Sequence, residues 1–78
     1  MNNLEKYDKV FCDTLEIEKS QLAGLKYQGT ELWDSVGHMT LMAELEEAFD
    51  IMLETDDIVD FSSYEIGKGI LKKYGVEL

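Results

Sequence analysis

Proline is absent from these 78 residues, cysteine occurs once, arginine does not occur, and no stretch is repeated or low in complexity. With no biased or proline-rich segment to act as a linker, residues 1–78 are expected to form a single domain. The lone Cys12 excludes an internal disulfide and leaves no Cys/His spacing for a metal. It reads as a small apolar residue of the first helix. No apolar run approaches the roughly 18 residues of a membrane span. The opening Met1-Asn2-Asn3-Leu4-Glu5-Lys6 also lacks the basic head and apolar body of a secretory signal, so a cytoplasmic protein with no membrane partner is expected.

Positive charge is scarce too, and unevenly placed. Seven lysines stand against seventeen Asp and Glu, for a net charge of −10. Ten of the acids lie between Glu31 and Asp60, a stretch with no lysine, so the whole net charge arises there. Such a field repels nucleic acid and anionic lipid and steers the chain towards basic protein surfaces. Asp50, Glu54, Asp56, Asp57 and Asp60 raise the thought of a calcium loop. The alternating ligands, central glycine and terminal glutamate of such a loop are missing, so no metal is expected.

At 45% hydrophobic the chain has the apolar content of a folded domain rather than of an acidic tail. A fold of this size buries only roughly 60% of the surface its unfolded chain would expose. So small a core can hardly enclose a substrate together with a catalytic constellation, which favours a binding, carrying or adaptor role over an enzyme.

The periodicity is helical. Leu4, Tyr7, Phe11 and Leu15, with Val10 beside them, follow three- and four-residue spacing after a capping Asn2 or Asn3, which predicts a first helix ending near Thr14. From Glu16 to Asp34 the apolar residues lose clear period and Gly24 and Gly29 punctuate the run, so a long loop pinned by Ile17, Leu22, Leu25, Tyr27, Leu32 and Trp33 is expected. A loop of that length in a small domain needs turns of its own or a job.

A second helix is predicted from Ser35 to about Phe49, with two faces. Leu41, Leu45, Ala48, Phe49 and Met52 form a core stripe. Val36, Thr40, Ala43 and Glu47 form another, partly apolar and edged by carboxylates, which suits transient docking oriented by charge; broad packing on both sides is the alternative. A short third helix over Asp56–Asp60 would take Thr55 as its cap. For the fourth, Ser62-Ser63-Tyr64-Glu65 has capping-box spacing, Ile66, Ile70, Tyr74 and Leu71 make a face, and Gly75 makes a left-handed stop. Gly67 and Gly69 each weaken that helix by about 1 kcal/mol relative to alanine, so it should depend on tertiary packing. The expected fold class is all-α, a small antiparallel four-helix bundle with a long first loop and a short third helix.

The stretch Leu32-Trp33-Asp34-Ser35-Val36-Gly37-His38-Met39 sets an Asp-Ser pair where the loop enters the second helix. An isolated pair of this kind is commonly a cap, worth about 1 kcal/mol. Here it is followed by Leu41-Met42-Ala43-Glu44-Leu45-Glu46-Glu47-Ala48-Phe49-Asp50, the Asp56-Asp57 pair and the Ser62-Ser63 start of a last helix. Over nearly its whole length the chain resembles the acyl and peptidyl carrier proteins, whose Asp-Ser-Leu serine is esterified to 4'-phosphopantetheine taken from coenzyme A.

The resemblance implies a non-catalytic, monomeric carrier with a bundle of the acyl-carrier type. Ser35 would hold the covalent arm, flanked by Asp34 and Val36. The arm's thiol would carry fatty acyl, polyketide, hydroxyacyl, aminoacyl or peptidyl (including D-alanyl) cargo as a thioester. The implied partners are a phosphopantetheinyl transferase, an acyl or aminoacyl loading enzyme, and condensing or acyl-transfer enzymes. Val36, Thr40, Ala43, Glu44, Glu47, Asp56 and Asp57 are the expected docking residues. Three features depart from the pattern: Val36 stands for the usual leucine, Gly37 weakens the first turn and leaves room for a partner, and His38 can change charge near neutral pH. His38 is expected to be an exposed helix residue without a switch function. These departures favour a specialised pathway over housekeeping fatty-acid synthesis, with an unmodified acidic adaptor as the other reading. Met39, Met42 and Met52 could repack around cargo, although ordinary core filling is the better explanation of them.

Overall fold

The Asn2 side chain accepts the amide of Glu5 at 2.8 Å and so starts α1 (Asn3–Leu15). After a single 3-10 turn (Lys19–Gln21) and a loop come α2 (Ser35–Phe49), α3 (Thr55–Asp60) and α4 (Tyr64–Lys73). This computed structural model describes residues 2–78; Met1, part of the expected domain, lies outside them. The described residues contain four α-helices and no strand, only an isolated antiparallel bridge between Lys26 and Ser63.

The core is aromatic at its centre. Phe11 of α1 meets Tyr7, Trp33 and Tyr64 at ring-centroid distances of 4.9, 5.5 and 5.4 Å, with Phe61 beyond at 6.2 Å. Leu41, Met42 and Leu45 of α2 and Leu71 of α4 close the cluster, all fully buried. The expected core stripe of α2 therefore holds through Leu41 and Leu45, with Ala48 and Phe49 half-buried. It fails at Met52, which is 82% exposed, because α2 stops at Asp50. Leu4 and Ile66 also lie at the surface rather than in the core.

Two helix stops use no glycine. Glu16 and Asp50 adopt left-handed backbone (φ 54° and 52°), and the amides of Ile17 and Ile51 turn back to the carbonyls of Cys12 and Glu46. At Gly75 (φ 83°) the expected glycine stop is present, with the amide of Val76 on the carbonyl of Leu71. The other two starts differ by one residue from expectation. Glu54, not Thr55, precedes α3, without a side-chain cap. Ser63, not Ser62, caps α4 by accepting the amide of Ile66, so residue Glu65 is out of register for a capping box.

The long loop does have turns of its own. Leu22, Leu25 and Trp33 are buried as expected, whereas Tyr27 and Leu32 are exposed. Its backbone is stitched to the start of α4, with Tyr27 N–H donating to the carbonyl of Ser62 at 2.8 Å and Tyr64 N–H to that of Leu25 at 2.9 Å. The amide of Gln28 donates to the carbonyl of Trp33, closing a turn that delivers the chain to α2.

Asp8 is buried inside the bundle, which the apolar pattern of α1 does not signal. The hydroxyl of Tyr64 donates to its carboxylate, and the hydroxyl of Tyr7 donates to the carbonyl of Tyr64 at 2.7 Å. Burial is the main cause that raises both phenols above the usual tyrosine range; for Tyr64 the hydrogen bond to Asp8 comes next. Gly67 lies against this pair, where a side chain would overlap the Phe61 ring and the Tyr7 hydroxyl.

Candidate functional site at the start of the second helix

The first turn of α2 is organised by the residue before the serine. Asp34 is the N-cap: its carboxylate accepts the amide of Gly37 at 2.8 Å, and its carbonyl accepts that of His38 at 2.7 Å. Ser35 is the first helical residue. It is exposed, and its hydroxyl makes no hydrogen bond among the described residues. The amides of Ser35 and Val36 precede the first intrahelical bond, so this end of a fifteen-residue helix keeps free donors and the positive end of the dipole beside the serine.

Gly37 is required by the chain itself. A side chain there would collide with the carbonyl of Leu32, where the loop crosses the helix start. The glycine is thus required by a close approach of the protein's own backbone, a constraint separate from the expected room for a partner.

His38 is half-buried, contrary to its expected exposure. The Trp33 indole Nε1–H donates to His38 Nδ1 at 3.0 Å, and His38 Nε2 lies 2.7 Å from the carbonyl oxygen of Ile58. An indole nitrogen only donates, so Nδ1 is the acceptor and Nε2–H donates to the carbonyl oxygen of Ile58. One imidazole therefore ties the loop, α2 and α3 together. Its ring lies nearly coplanar with the Trp33 indole, at 14°, and meets Tyr27 edge-on at 5.5 Å.

Beside Ser35 lies an open cavity of ≈ 300 Å³ between α2 and the α3 segment, lined by His38, Met39, Ile58, Val59 and Phe61 with Tyr27 across from them. Met39 and Val59 are 56% and 73% exposed at its edge. On the outer face of α2, Val36 is 74% exposed, and Thr40, Ala43, Glu44 and Glu47 are exposed with it. This is the stripe that spacing separates from the core.

Asp56 is exposed on α3, but Asp57 is not available to a partner. Its buried carboxylate accepts from Lys73 Nζ and from the hydroxyl of Tyr74, joining α3 to the end of α4. The Lys73 hydrogen bond, then that of Tyr74, holds the Asp57 carboxyl below the usual range. Asp57 is corrected here from docking residue to internal ion-pair partner. Neither Trp33 nor His38 stands out as a pair in the sequence, because a five-residue separation across a loop–helix junction matches no periodic pattern.

No protein-family model, curated protein or solved structure matches this chain. The functional reading therefore stands on the chain's own residues.

Proposed function

We propose that this chain is a carrier protein of the acyl-carrier type, with a 4'-phosphopantetheine arm on Ser35, serving enzymes of a specialised biosynthetic pathway. The observation that carries the reading is the division of roles at the start of α2. Asp34 does the capping, so the hydroxyl of Ser35 is not needed by the helix and stays exposed and unengaged. Capping by the pair thus falls on Asp34 alone, which leaves the Ser35 hydroxyl free for another use.

The residues present fit the arm. An exposed primary hydroxyl can be phosphorylated, and a phosphodiester there lies near the leading amides of α2, where the helix dipole favours negative charge. When attached, the arm supplies a thiol that holds acyl or aminoacyl cargo as a thioester. His38 is not a base for Ser35, since both ring nitrogens are committed to Trp33 and Ile58. That favours a tether over a nucleophile in turnover. The exposed Val36, Thr40, Ala43, Glu44, Glu47 and Asp56 supply a small apolar contact edged with acid, suited to brief docking on basic enzyme surfaces.

The deciding experiment is incubation with coenzyme A and a broad-specificity phosphopantetheinyl transferase, followed by intact mass. The wild-type chain should gain one phosphopantetheine group and Ser35→Ala none. No gain by the wild type, or a gain retained by Ser35→Ala, would falsify the assignment. An unmodified acidic adaptor predicts instead that Ser35→Ala keeps full function.

A further inference from the structure

Resting on the carrier reading, we propose that the Trp33–His38–Ile58 hydrogen-bond chain seals the seam between α2 and α3. The carrier then displays short or polar acyl cargo, of the hydroxyacyl or aminoacyl kind, and does not draw a long alkyl chain into its interior.

The seal sits three residues along α2 from the attachment point. An alkyl chain passing from Ser35 inwards between α2 and α3 must push the imidazole off the Ile58 carbonyl. Moving the imidazole also takes the acceptor from the Trp33 indole N–H, on a ring with no exposed surface. A buried donor left without a partner is costly, so the two bonds resist opening together. Behind the imidazole the space is filled. The Trp33 indole lies edge to edge with it and nearly coplanar, at 14°, and Phe61 meets it edge-on at 68°, both rings being buried. What remains beside Ser35 is the open cavity edged by Met39 and Val59. A long alkyl chain outruns this half-open cavity, and each methylene beyond its lining stays in water at a further cost. Short, hydroxylated or aminated groups escape that penalty.

The test attaches butyryl, octanoyl and dodecanoyl arms to the wild-type protein from the matching acyl-coenzyme A thioesters and confirms loading by mass. Hydroxylamine cleavage of each thioester is then timed, and the proton–nitrogen signal of the single indole, Trp33, is recorded. The three thioesters should be cleaved at rates within about twofold, with the indole signal unmoved across the series, since none of the chains becomes buried. Dodecanoyl cleavage slower by about fivefold or more, with a shifted indole signal, overturns the proposal. In His38→Ala the seam should open and the dodecanoyl thioester become protected. Equal rates in a folded His38→Ala show that the imidazole is not the barrier and also overturn it. The wild-type series decides even if that variant does not fold. A chain that gains no mass refutes the carrier reading alone. The seal is then read on the unloaded protein with dodecanoyl N-acetylcysteamine thioester as probe. Uptake by His38→Ala only supports it, and uptake by the wild type with a shifted Trp33 signal overturns it.

Discussion

Gly67 and Gly69 lie two residues apart on α4, so intrinsic helix propensity treats them alike: alanine at either should gain about 0.5–1 kcal/mol. The surroundings separate them. A methyl group at Gly69 meets nothing within 4 Å, whereas at Gly67 it falls inside 3.0 Å of both the Phe61 ring and the Tyr7 hydroxyl. Phe61 and Tyr7 are themselves fully buried, and the Tyr7 hydroxyl is fixed on the carbonyl of Tyr64, so neither can retreat freely. Overpacking of this kind costs about 1–3 kcal/mol or more, and three overlaps put Gly67→Ala at the upper end. After the propensity gain, a net loss of about 2 kcal/mol is expected. For a domain of this size that lowers Tm by roughly 8–16 °C, while Gly69→Ala raises it by about 2–8 °C. Circular-dichroism melts and urea midpoints at unchanged m-value measure both. Shifts of the same sign in the two variants, or a neutral Gly67→Ala, would refute the packing of α4 against α1 described above.

The roles of Asp34 and Ser35 separate in the same assay: Asp34→Ala should lose about 1 kcal/mol of stability, and Ser35→Ala should stay within about 0.5 kcal/mol of wild type. Because the Asp57 carboxyl is held below its ordinary value by Lys73 and then Tyr74, its contribution is present above about pH 4 and is lost as pH falls further. Asp57→Asn should therefore flatten the acid limb of a Tm-against-pH curve, and an unchanged limb would show that the pair does not matter. The raised phenols of Tyr7 and Tyr64 give the opposite limb, stability present below about pH 10 and lost above it. Tyr64→Phe should reduce that alkaline loss. At neutral pH it should also destabilise by about 1–3 kcal/mol, since the buried Asp8 loses its donor; a neutral effect in denaturant titration would contradict this.

Much of the fold is legible in local pattern. Three- and four-residue spacing marks Tyr7, Phe11 and Leu15 on α1 and Leu41 and Leu45 on α2, and the structure buries all five. The acidic stretch and the Asp-Ser pair are equally plain, because composition and adjacency need no folding to be read. The ends of the helices are less legible. Glu16 and Asp50 stop α1 and α2 in a conformation usually given to glycine, and the serine that caps α4 is one residue later than its spacing suggests. A terminus depends on a few backbone dihedrals, and neighbouring packing can move it by a residue at little cost.

By itself the sequence determined an all-helical chain, its charge polarity, and a serine at the head of an amphipathic helix. Only the tertiary structure decided what surrounds that serine: Asp34 as cap, Gly37 under the Leu32 carbonyl, His38 tied to Trp33 and Ile58, and Asp57 turned inwards to Lys73. Periodicity records which face of one helix is apolar. It carries no record of which residue on another element will meet a given polar atom, and those meetings exist only once loop, α2, α3 and α4 have packed together.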